Sequence, residues 1–178
     1  ISVVDKLVSN KLIFGLGVSL ENPTEKFIKK VNKFSNVVVH VINGIFTESD
    51  YVALSNHGLK LLILGYKNLR RGVSWMEKAH ADIAANQWWL YEHLSDLIGK
   101  FTVVSFDNLA IEQLAIKERW NEFSDRPWDE FYAGDDGMNT YYIDMVDRKF
   151  ARSSTADFDK RYDLLDDVDE MFKLIKKE

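Results

Sequence analysis

The chain has 178 residues, 46% of them hydrophobic, which is enough for one domain with a hydrophobic core and a small extension. Its formal net charge of −5 disfavours a surface that coats nucleic acid, and the absence of cysteine excludes disulfides and thiolate-held zinc or iron–sulfur centres in this chain. We find no signal-peptide pattern and no apolar run near the roughly 20 residues that cross a bilayer. The sequence therefore predicts a cytoplasmic protein without membrane or nucleic-acid partners.

The first predicted elements are a strand and an amphipathic helix. Residues 11–20 form an apolar run in which Gly15 and Gly17 share one face, where another group can approach the backbone closely. Ser19 closes this strand. After a short loop, Thr24 is a good N-cap, and apolar residues at helical spacing predict a helix that ends near residue 35.

The next stretch predicts a strand–helix–strand unit around which the rest of the chain is organised. Residues 37–46 and 59–67 are β-branched or aliphatic without an in/out alternation, which is typical of parallel strands covered on both faces. Between them, Thr47 and Asp50 have the spacing of a capping box, and Gly58 is a natural helix stop. In such units, ligands bind where strands end and loops begin.

A long helix and a fourth strand follow. Residues 75–97 predict one helix with a large apolar face that ends at Gly99, and residues 101–106 predict another buried strand. Asp107 and Asn108 then begin a further helix. The resulting order, four strands alternating with four helices through short links, is the repeat of an α/β barrel or of a doubly wound sheet.

The composition changes at Trp120, where the sequence becomes rich in turns and aromatic residues. Residues 140–154 predict an antiparallel hairpin, and the charged segment 157–178 ends in a helix. We therefore divide the chain into βα units of a partial barrel, residues 1–119, and an α+β extension, residues 120–178.

The number of strand–helix units decides the expected fold. Four units are half of an eightfold barrel, and a closed barrel needs about 250 residues. The expected class is α/β, a partial TIM-like barrel fragment with parallel strands, followed by a β-hairpin and a C-terminal helix. The sequence begins at Ile1, and residues 2–9 lead without a cap into the first strand, so we expect a fragment of a longer protein, although a trimmed tag would look the same. A first strand without an upstream neighbour would expose an edge, and we expect a homodimer through it.

Three stretches resemble the later strands of a radical S-adenosylmethionine (radical SAM) protein, of a group often found in phages and their bacterial hosts. They read Phe-Gly-Leu-Gly-Val-Ser at 14–19, Val-His-Val-Ile-Asn-Gly-Ile at 39–45 and Leu-Leu-Ile-Leu-Gly-Tyr-Lys-Asn-Leu-Arg-Arg-Gly at 61–72. The resemblance covers residues 11–154.

In that superfamily a Gly-x-Ile-x-Gly-x-x-Glu pattern on the fifth strand of a (β/α)6 partial barrel lies along the adenine. Here Ile42 and Gly44 match, whereas His40 stands at the first glycine and Thr47 at the glutamate, with Glu48 one place on. The family's Cys-x-x-x-Cys-x-x-Cys cluster motif and its Gly-Gly-Glu region are absent, as expected if both lie upstream of this sequence.

The resemblance and the strand-end positions select the candidate site residues. The resemblance places Ser19 at a ribose hydroxyl and the backbone of Asn43 and Gly44 against adenine. Cations in the 67–71 loop suit a carboxylate or phosphate. The expected cofactor-binding residues are Ser19, His40, Ile42, Asn43, Gly44 and Lys67, and the expected substrate-binding residues are Arg70, Arg71, Asp107 and Asn108.

Each candidate also has a structural alternative. Ser19 can simply end a strand, His40 can be a core histidine, and Asn43-Gly44 can be a strand-end bulge. Asp107-Asn108 is also an ordinary helix cap. No catalytic residue is assigned, and the four histidines lack metal-ligand spacing, so no metal site is predicted in this chain.

The resemblance implies the C-terminal portion of a radical SAM enzyme. The full-length protein would bind a [4Fe-4S] cluster, cleave S-adenosylmethionine and use the adenosyl radical on an unidentified substrate. This chain is expected to be inactive alone and to carry no bound cofactor, because it cannot ligate the cluster. The alternative is a cluster-free α/β binding or assembly module whose basic loop, residues 67–71, recognises an anionic ligand or a protein partner.

Overall fold

The computed structural model describes residues 3–69, 71–132, 134, 137–138 and 140–176. The chain divides into two compact units, Ile1–Phe123 (unit 1) and Ser124–Glu178 (unit 2). Unit 1 contains a four-stranded parallel sheet, and unit 2 contains a three-stranded antiparallel sheet. In the described part of the chain, no helix has both the length and the apolar character needed to span a membrane.

Unit 1 alternates strands and helices. Its strands are β1 (Leu16–Ser19), β2 (Val37–Ile42), β3 (Lys60–Leu64) and β4 (Val103–Phe106). Its helices are α1 (Val3–Ser9), α2 (Glu25–Val31), α3 (Glu48–Leu54), α4 (Arg71–Glu92) and α5 (Asn108–Gln113), with 3₁₀ turns at Leu94–Leu97 and Trp120–Glu122. The strands lie in the order β1-β2-β3-β4, all parallel, which confirms the α/β class with alternating helices. The sheet does not close into a barrel within the described residues.

The strand order places the crossover helices on one face of the sheet. Each strand pairs with the strand before it at the same edge of the growing sheet. Because parallel crossovers are right-handed, α2, α3 and α4 must all cover the same face. On that face Val39, Leu61 and Ile63 have no exposed surface. The expectation that the strands are covered on both faces is therefore wrong.

The second face of the sheet, which we call the open face, carries Ser19, His40, Ile42, Leu62, Leu64 and Val103. These residues share a face because register pairs Ser19 with His40, His40 with Leu62 and Ile42 with Leu64. Ile42 is 41% exposed and Val103 is 45% exposed. The apolar runs lack alternation because most residues that β2 and β3 place on the open face are also apolar, with Lys60 and His40 as exceptions. The crossover helices of the described chain lie on the other face.

Two predicted boundaries were wrong for local reasons. The first strand begins at Leu16 because Lys11 has a φ of 56° and the N–H of Leu12 donates back to the Leu7 carbonyl, which ends α1 with a tight turn. Phe14 is consequently 95% exposed. The predicted helix over 75–97 is interrupted, since Ala79 has non-helical dihedrals and α4 ends at Glu92 before a 3₁₀ turn.

Unit 2 contains the predicted hairpin and terminal helix. Its strands are β5 (Tyr142–Asp144), β6 (Lys149–Ala151) and β7 (Tyr162–Asp163), and its helices are α6 (Trp128–Phe131) and α7 (Val168–Ile175), with a 3₁₀ turn at Phe158–Lys160. Strands β5 and β6 are antiparallel, which confirms the hairpin, and β7 is a third strand that the sequence did not predict. The core of unit 2 is formed by Phe150, Met171 and Ile175.

A buried carboxylate holds the hairpin of unit 2. Asp144 is 5% exposed, and its Oδ1 accepts the N–H groups of Val146 at 3.0 Å and Asp147 at 3.1 Å. Its Oδ2 accepts the Tyr142 hydroxyl at 3.1 Å and pairs with Arg161 at 3.4 Å. The Asp147 N–H first, then Val146, Tyr142 and the charge of Arg161, lower the pKa of Asp144 below its usual value against the opposing effect of burial.

We predict that Asp144 makes the stability of unit 2 depend on pH. Because the folded state lowers its pKa, the stabilisation is present above the unfolded pKa of about 4 and is lost as pH falls through the folded pKa. Asp144→Asn should lower the unfolding temperature at neutral pH and flatten its decline in acid. Thermal unfolding followed by circular dichroism measures both effects. Asp159→Asn controls for loss of one charge, and an unchanged acid profile in Asp144→Asn would contradict the prediction.

Candidate functional site

A cleft of about 170 Å³ opens at the carboxyl ends of β1, β2 and β3. Parallel strands end at the same edge of a sheet, so residues far apart in sequence meet there. Three predicted residues, Ser19, His40 and Ile42, lie in this cleft together. The full lining is Ser19, Leu20, Glu21, His40, Val41, Ile42, Ile45, Phe46, Asp50 and Leu64.

A glycine on β1 makes room for the imidazole of His40. A Cβ on Gly17 would lie 2.5 Å from Cε1 of His40, closer than side-chain contacts allow, so the ring lies directly over the glycine. Ser19 pairs with His40 in the register of β1 and β2, and the N–H of Leu20 donates to the His40 carbonyl at 2.9 Å. The close approach predicted at Gly17 is confirmed, and it places the imidazole and the Ser19 hydroxyl on the same face.

The turn after β2 supplies the apolar wall of the cleft. The N–H groups of Ile45 and Phe46 both donate to the Ile42 carbonyl at 2.9 Å, which folds this turn back onto the strand. Phe46 is 1% exposed and meets the indole of Trp89 edge-on at 6.5 Å between ring centroids. Phe46 is thus fixed from behind by α4 while it lines the cleft.

The capping box of α3 brings a carboxylate to the cleft. Thr47 Oγ1 accepts the Asp50 N–H at 3.1 Å, and Asp50 Oδ2 accepts the Thr47 N–H at 2.9 Å, which confirms the predicted box. The Thr47 hydroxyl also lies 2.8 Å from Asp50 Oδ2. Asp50 therefore caps the helix and lines the cleft at once.

The charge of the cleft lining has one sign. Glu21 and Asp50 contribute carboxylates, Ser19 contributes a hydroxyl and His40 an imidazole, whereas no lysine or arginine occurs among the described residues that line the cleft. A lining of this kind attracts a neutral or positively charged ligand and repels a polyanion.

Asn43 follows Ile42 in sequence but points away from the cleft. It is 1% exposed, its N–H donates to the Leu64 carbonyl at 2.8 Å, and its Nδ2 donates to Gln113 Oε1 at 3.1 Å. The Gln113 amide also accepts the Tyr66 N–H and donates to the Tyr66 carbonyl, both at 2.8 Å. Among the described residues, Asn43 Oδ1 has no partner. This network ties the ends of β2 and β3 to α5.

Gly44 lies against α4. It has a φ of 94°, and a Cβ there would lie 2.9 Å from Cγ2 of Ile83 and 3.1 Å from Cγ of Gln87. Its carbonyl accepts Nδ2 of Asn86 at 3.2 Å. Both the backbone conformation and the neighbouring helix therefore require glycine at this position.

The basic loop after β3 lies outside the cleft lining. Lys67 and Arg71 are exposed, and Arg70 lies outside the described residues. The hydroxyl of Tyr66 donates to the Gly72 carbonyl at 2.7 Å, and a Cβ on Gly72 would overlap the Lys67 carbonyl oxygen. The loop is closed tightly on itself at the start of α4.

Asp107 and Asn108 are also absent from the cleft lining. Asp107 Oδ1 accepts the N–H of Ala110 at 2.7 Å and the N–H of Gly65 at 2.9 Å, so the residue caps α5 and fastens it to the end of β3. The helix-cap role, which was the structural alternative for Asp107, is confirmed. Asn108 is the first residue of α5.

Sequence reasoning missed several cleft residues. Glu21, Ile45, Phe46 and Leu64 have no motif of their own, and they reach the cleft only through strand pairing and the turn after β2. Asp50 had a visible signal, the capping box, but that signal indicates a helix start and not a cleft. The described residues contain no group of three or more side chains placed to hold a metal ion.

We predict that Gly44 is far less replaceable than Gly58. Both have positive φ, but a Cβ on Gly58 meets nothing within 4 Å, so Gly58→Ala carries the conformational cost alone. Gly44→Ala adds the overlap with Ile83 and should lower the free energy of unfolding by about 1 to 3 kcal/mol more. Urea denaturation of the two variants measures the difference. Equal losses would contradict the close contact with α4.

Comparisons with known proteins give no further guidance to this site. No family model, no curated protein and no solved structure matches the chain. What can be said of its function therefore rests on the cleft, the open face and their chemistry.

Proposed function

We propose that unit 1 is the ligand-binding part of a radical SAM enzyme and that its cleft receives S-adenosylmethionine. The observation that carries this proposal is the meeting of Ser19, His40 and Ile42 in one cleft, at the carboxyl edge of a parallel sheet. Ser19 and Ile42 are residues at which the sequence resembles the cofactor-binding strands of that superfamily, whereas His40 stands where the superfamily pattern has a glycine.

We also propose that the sheet is the later part of a partial barrel. In a barrel of βα units, helices cover the outside and side chains from the strands fill the inside. A doubly wound sheet would instead reverse its strand order and place helices on both faces. The consecutive order β1-β2-β3-β4 and the open face support the barrel arrangement.

The lining of the cleft fits the parts of this ligand. Ile42, Ile45 and Phe46 offer an apolar wall to a flat base, and the Ser19 hydroxyl can hydrogen-bond a ribose hydroxyl. The carboxylates of Glu21 and Asp50 suit the positively charged sulfonium and ammonium groups. In the proposed enzyme, one electron from a cluster held outside this sequence would break a carbon–sulfur bond of S-adenosylmethionine, which would release methionine and an adenosyl radical able to abstract hydrogen. The residues of this chain would bind and orient it.

The residues of this chain do not fit an iron–sulfur cluster. The sequence contains no cysteine, and the described part contains no cluster of metal-ligating side chains. In the proposed enzyme the cluster must therefore be held by residues outside this sequence. We expect the chain alone to bind S-adenosylmethionine without cleaving it.

Binding of labelled S-adenosylmethionine in equilibrium dialysis tests this proposal. Ser19→Ala removes one hydrogen bond, of about 1 kcal/mol, and should weaken binding about fivefold. Gly17→Ala should weaken it further, because the new Cβ displaces the His40 ring from its place over β1. Ser95→Ala, the same chemical change at an exposed position of the 3₁₀ turn Leu94–Leu97, is the matched control and should leave binding unchanged.

The result that overturns the proposal is equally specific. If the chain does not bind S-adenosylmethionine, or if Ser19→Ala and Ser95→Ala behave alike, the cleft is not its site. Inorganic phosphate serves as the second probe. Phosphate binding that is lost in the double variant Lys67→Ala, Arg71→Ala would favour the cluster-free module with an anionic ligand.

A further inference from the structure

One carboxylate of the cleft is fixed in place by the helix that it caps. Asp50 lies in the first turn of α3, and its Oδ2 accepts the Thr47 N–H at 2.9 Å and the Thr47 hydroxyl at 2.8 Å. The Asp50 N–H donates in return to Thr47 Oγ1 at 3.1 Å. Because these bonds join the same two residues, the Asp50 side chain cannot turn away from the cleft without breaking the cap.

The second oxygen of this carboxylate is open to a ligand. Both cap bonds go to Oδ2, and no described residue donates a hydrogen bond to Oδ1. Asp50 is half-buried, and among the buried side-chain atoms of the described residues only Asn43 Oδ1 lacks a partner. Solvent therefore reaches Oδ1 of Asp50, and the residue belongs to the cleft lining. The cleft thus contains a carboxylate oxygen that is held in position and accepts nothing from the described chain.

The other carboxylate of the lining differs in both respects. Glu21 is exposed and lies in the loop after β1, so water and salt screen its charge, and its side chain must be ordered when a ligand binds. Asp50 is half-buried and shares the lining with the apolar side chains of Ile45 and Phe46. Its charge is consequently screened less, and binding costs it less conformational entropy.

We infer that Asp50 selects the charge of the ligand, so that the cleft prefers an adenosyl sulfonium to the corresponding neutral thioether. This inference rests on the proposed function and adds to it the residue that recognises the sulfonium. A sulfonium is positively charged but has no N–H or O–H on its sulfur, so it is recognised by a nearby negative charge rather than by a hydrogen-bond acceptor of matched geometry. Oδ1 of Asp50 supplies that charge.

A comparison of S-adenosylmethionine with S-adenosylhomocysteine tests this inference. The two compounds share their adenosine, amino and carboxylate groups, and the second lacks only the methyl group that makes the sulfur positive. Isothermal titration calorimetry on the 178-residue chain measures both affinities. We expect the sulfonium to bind about tenfold more tightly, which lies between the values for an exposed and for a buried charge pair, and we expect added salt to reduce this preference.

Two variants assign the preference to one residue. Asp50→Asn removes the charge but keeps an oxygen that can accept the Thr47 N–H, and it should reduce the preference to less than about twofold. Glu48→Gln removes a charge from the same helical turn, at an exposed position outside the lining, and is the matched control that should keep the preference. Circular dichroism checks that both variants fold.

Three results would overturn the inference. They are equal binding of the two compounds by the unaltered chain, a preference that salt does not change, and a preference that survives in Asp50→Asn. The first two need no variant, so the inference stays testable even if Asp50→Asn does not fold.

A failure of the proposed function gives a different result, since neither adenosyl compound then binds. Trimethylsulfonium is the probe for Asp50 in that case. Its titration should shift the amide resonances of Asp50 and Phe46 to saturation in the unaltered chain and leave them unshifted in Asp50→Asn. No shift in the unaltered chain, or the same shift in both chains, would overturn the role of Asp50 as well.

Discussion

The handedness of the crossovers, combined with the direction in which strands are added, is the constraint on which unit 1 depends. From β1 to β4, each strand is added at the same edge of the sheet. Since every parallel crossover is right-handed, the connecting helices all lie on one face. Alternation along each strand then assigns the side chains. Leu61 and Ile63 are buried beneath helices, whereas Leu62 and Leu64, on the same strand, belong to the open face.

The same alternation decides which strand-end residues can meet a ligand. The open face carries the side chains of Ser19, His40 and Ile42. All three line the cleft, because the parallel register places the ends of their strands side by side. Asn43 is one residue further and takes the opposite direction, toward Gln113 of α5. Gly44, the next residue, packs against Ile83 of α4. A shift of one residue therefore separates a ligand-facing position from a position that holds the sheet to its helices.

Much of the fold could be predicted from the sequence because its signals are local. The box formed by Thr47 and Asp50 and the cap at Asp107 each depend on residues within three positions of each other. Coverage of the sheet could not be predicted, since an apolar run looks the same whether or not helices cover its second face. The strand β7 has two residues, too few for any pattern. The lining of the cleft, such as Glu21, depends on which strands become neighbours.

Two kinds of charge lie in different parts of unit 1, and their separation limits which ligand each can bind. The cleft lining has carboxylates and no described cation, whereas Lys67 on the exposed loop after β3 and Arg71 at the start of α4 lie outside it. Unlike charges attract and like charges repel, so the cleft favours a neutral or cationic group, whereas the surface around Lys67 and Arg71 favours an anionic group. One ligand can use both only if it carries its positive and negative groups far enough apart to reach each of them.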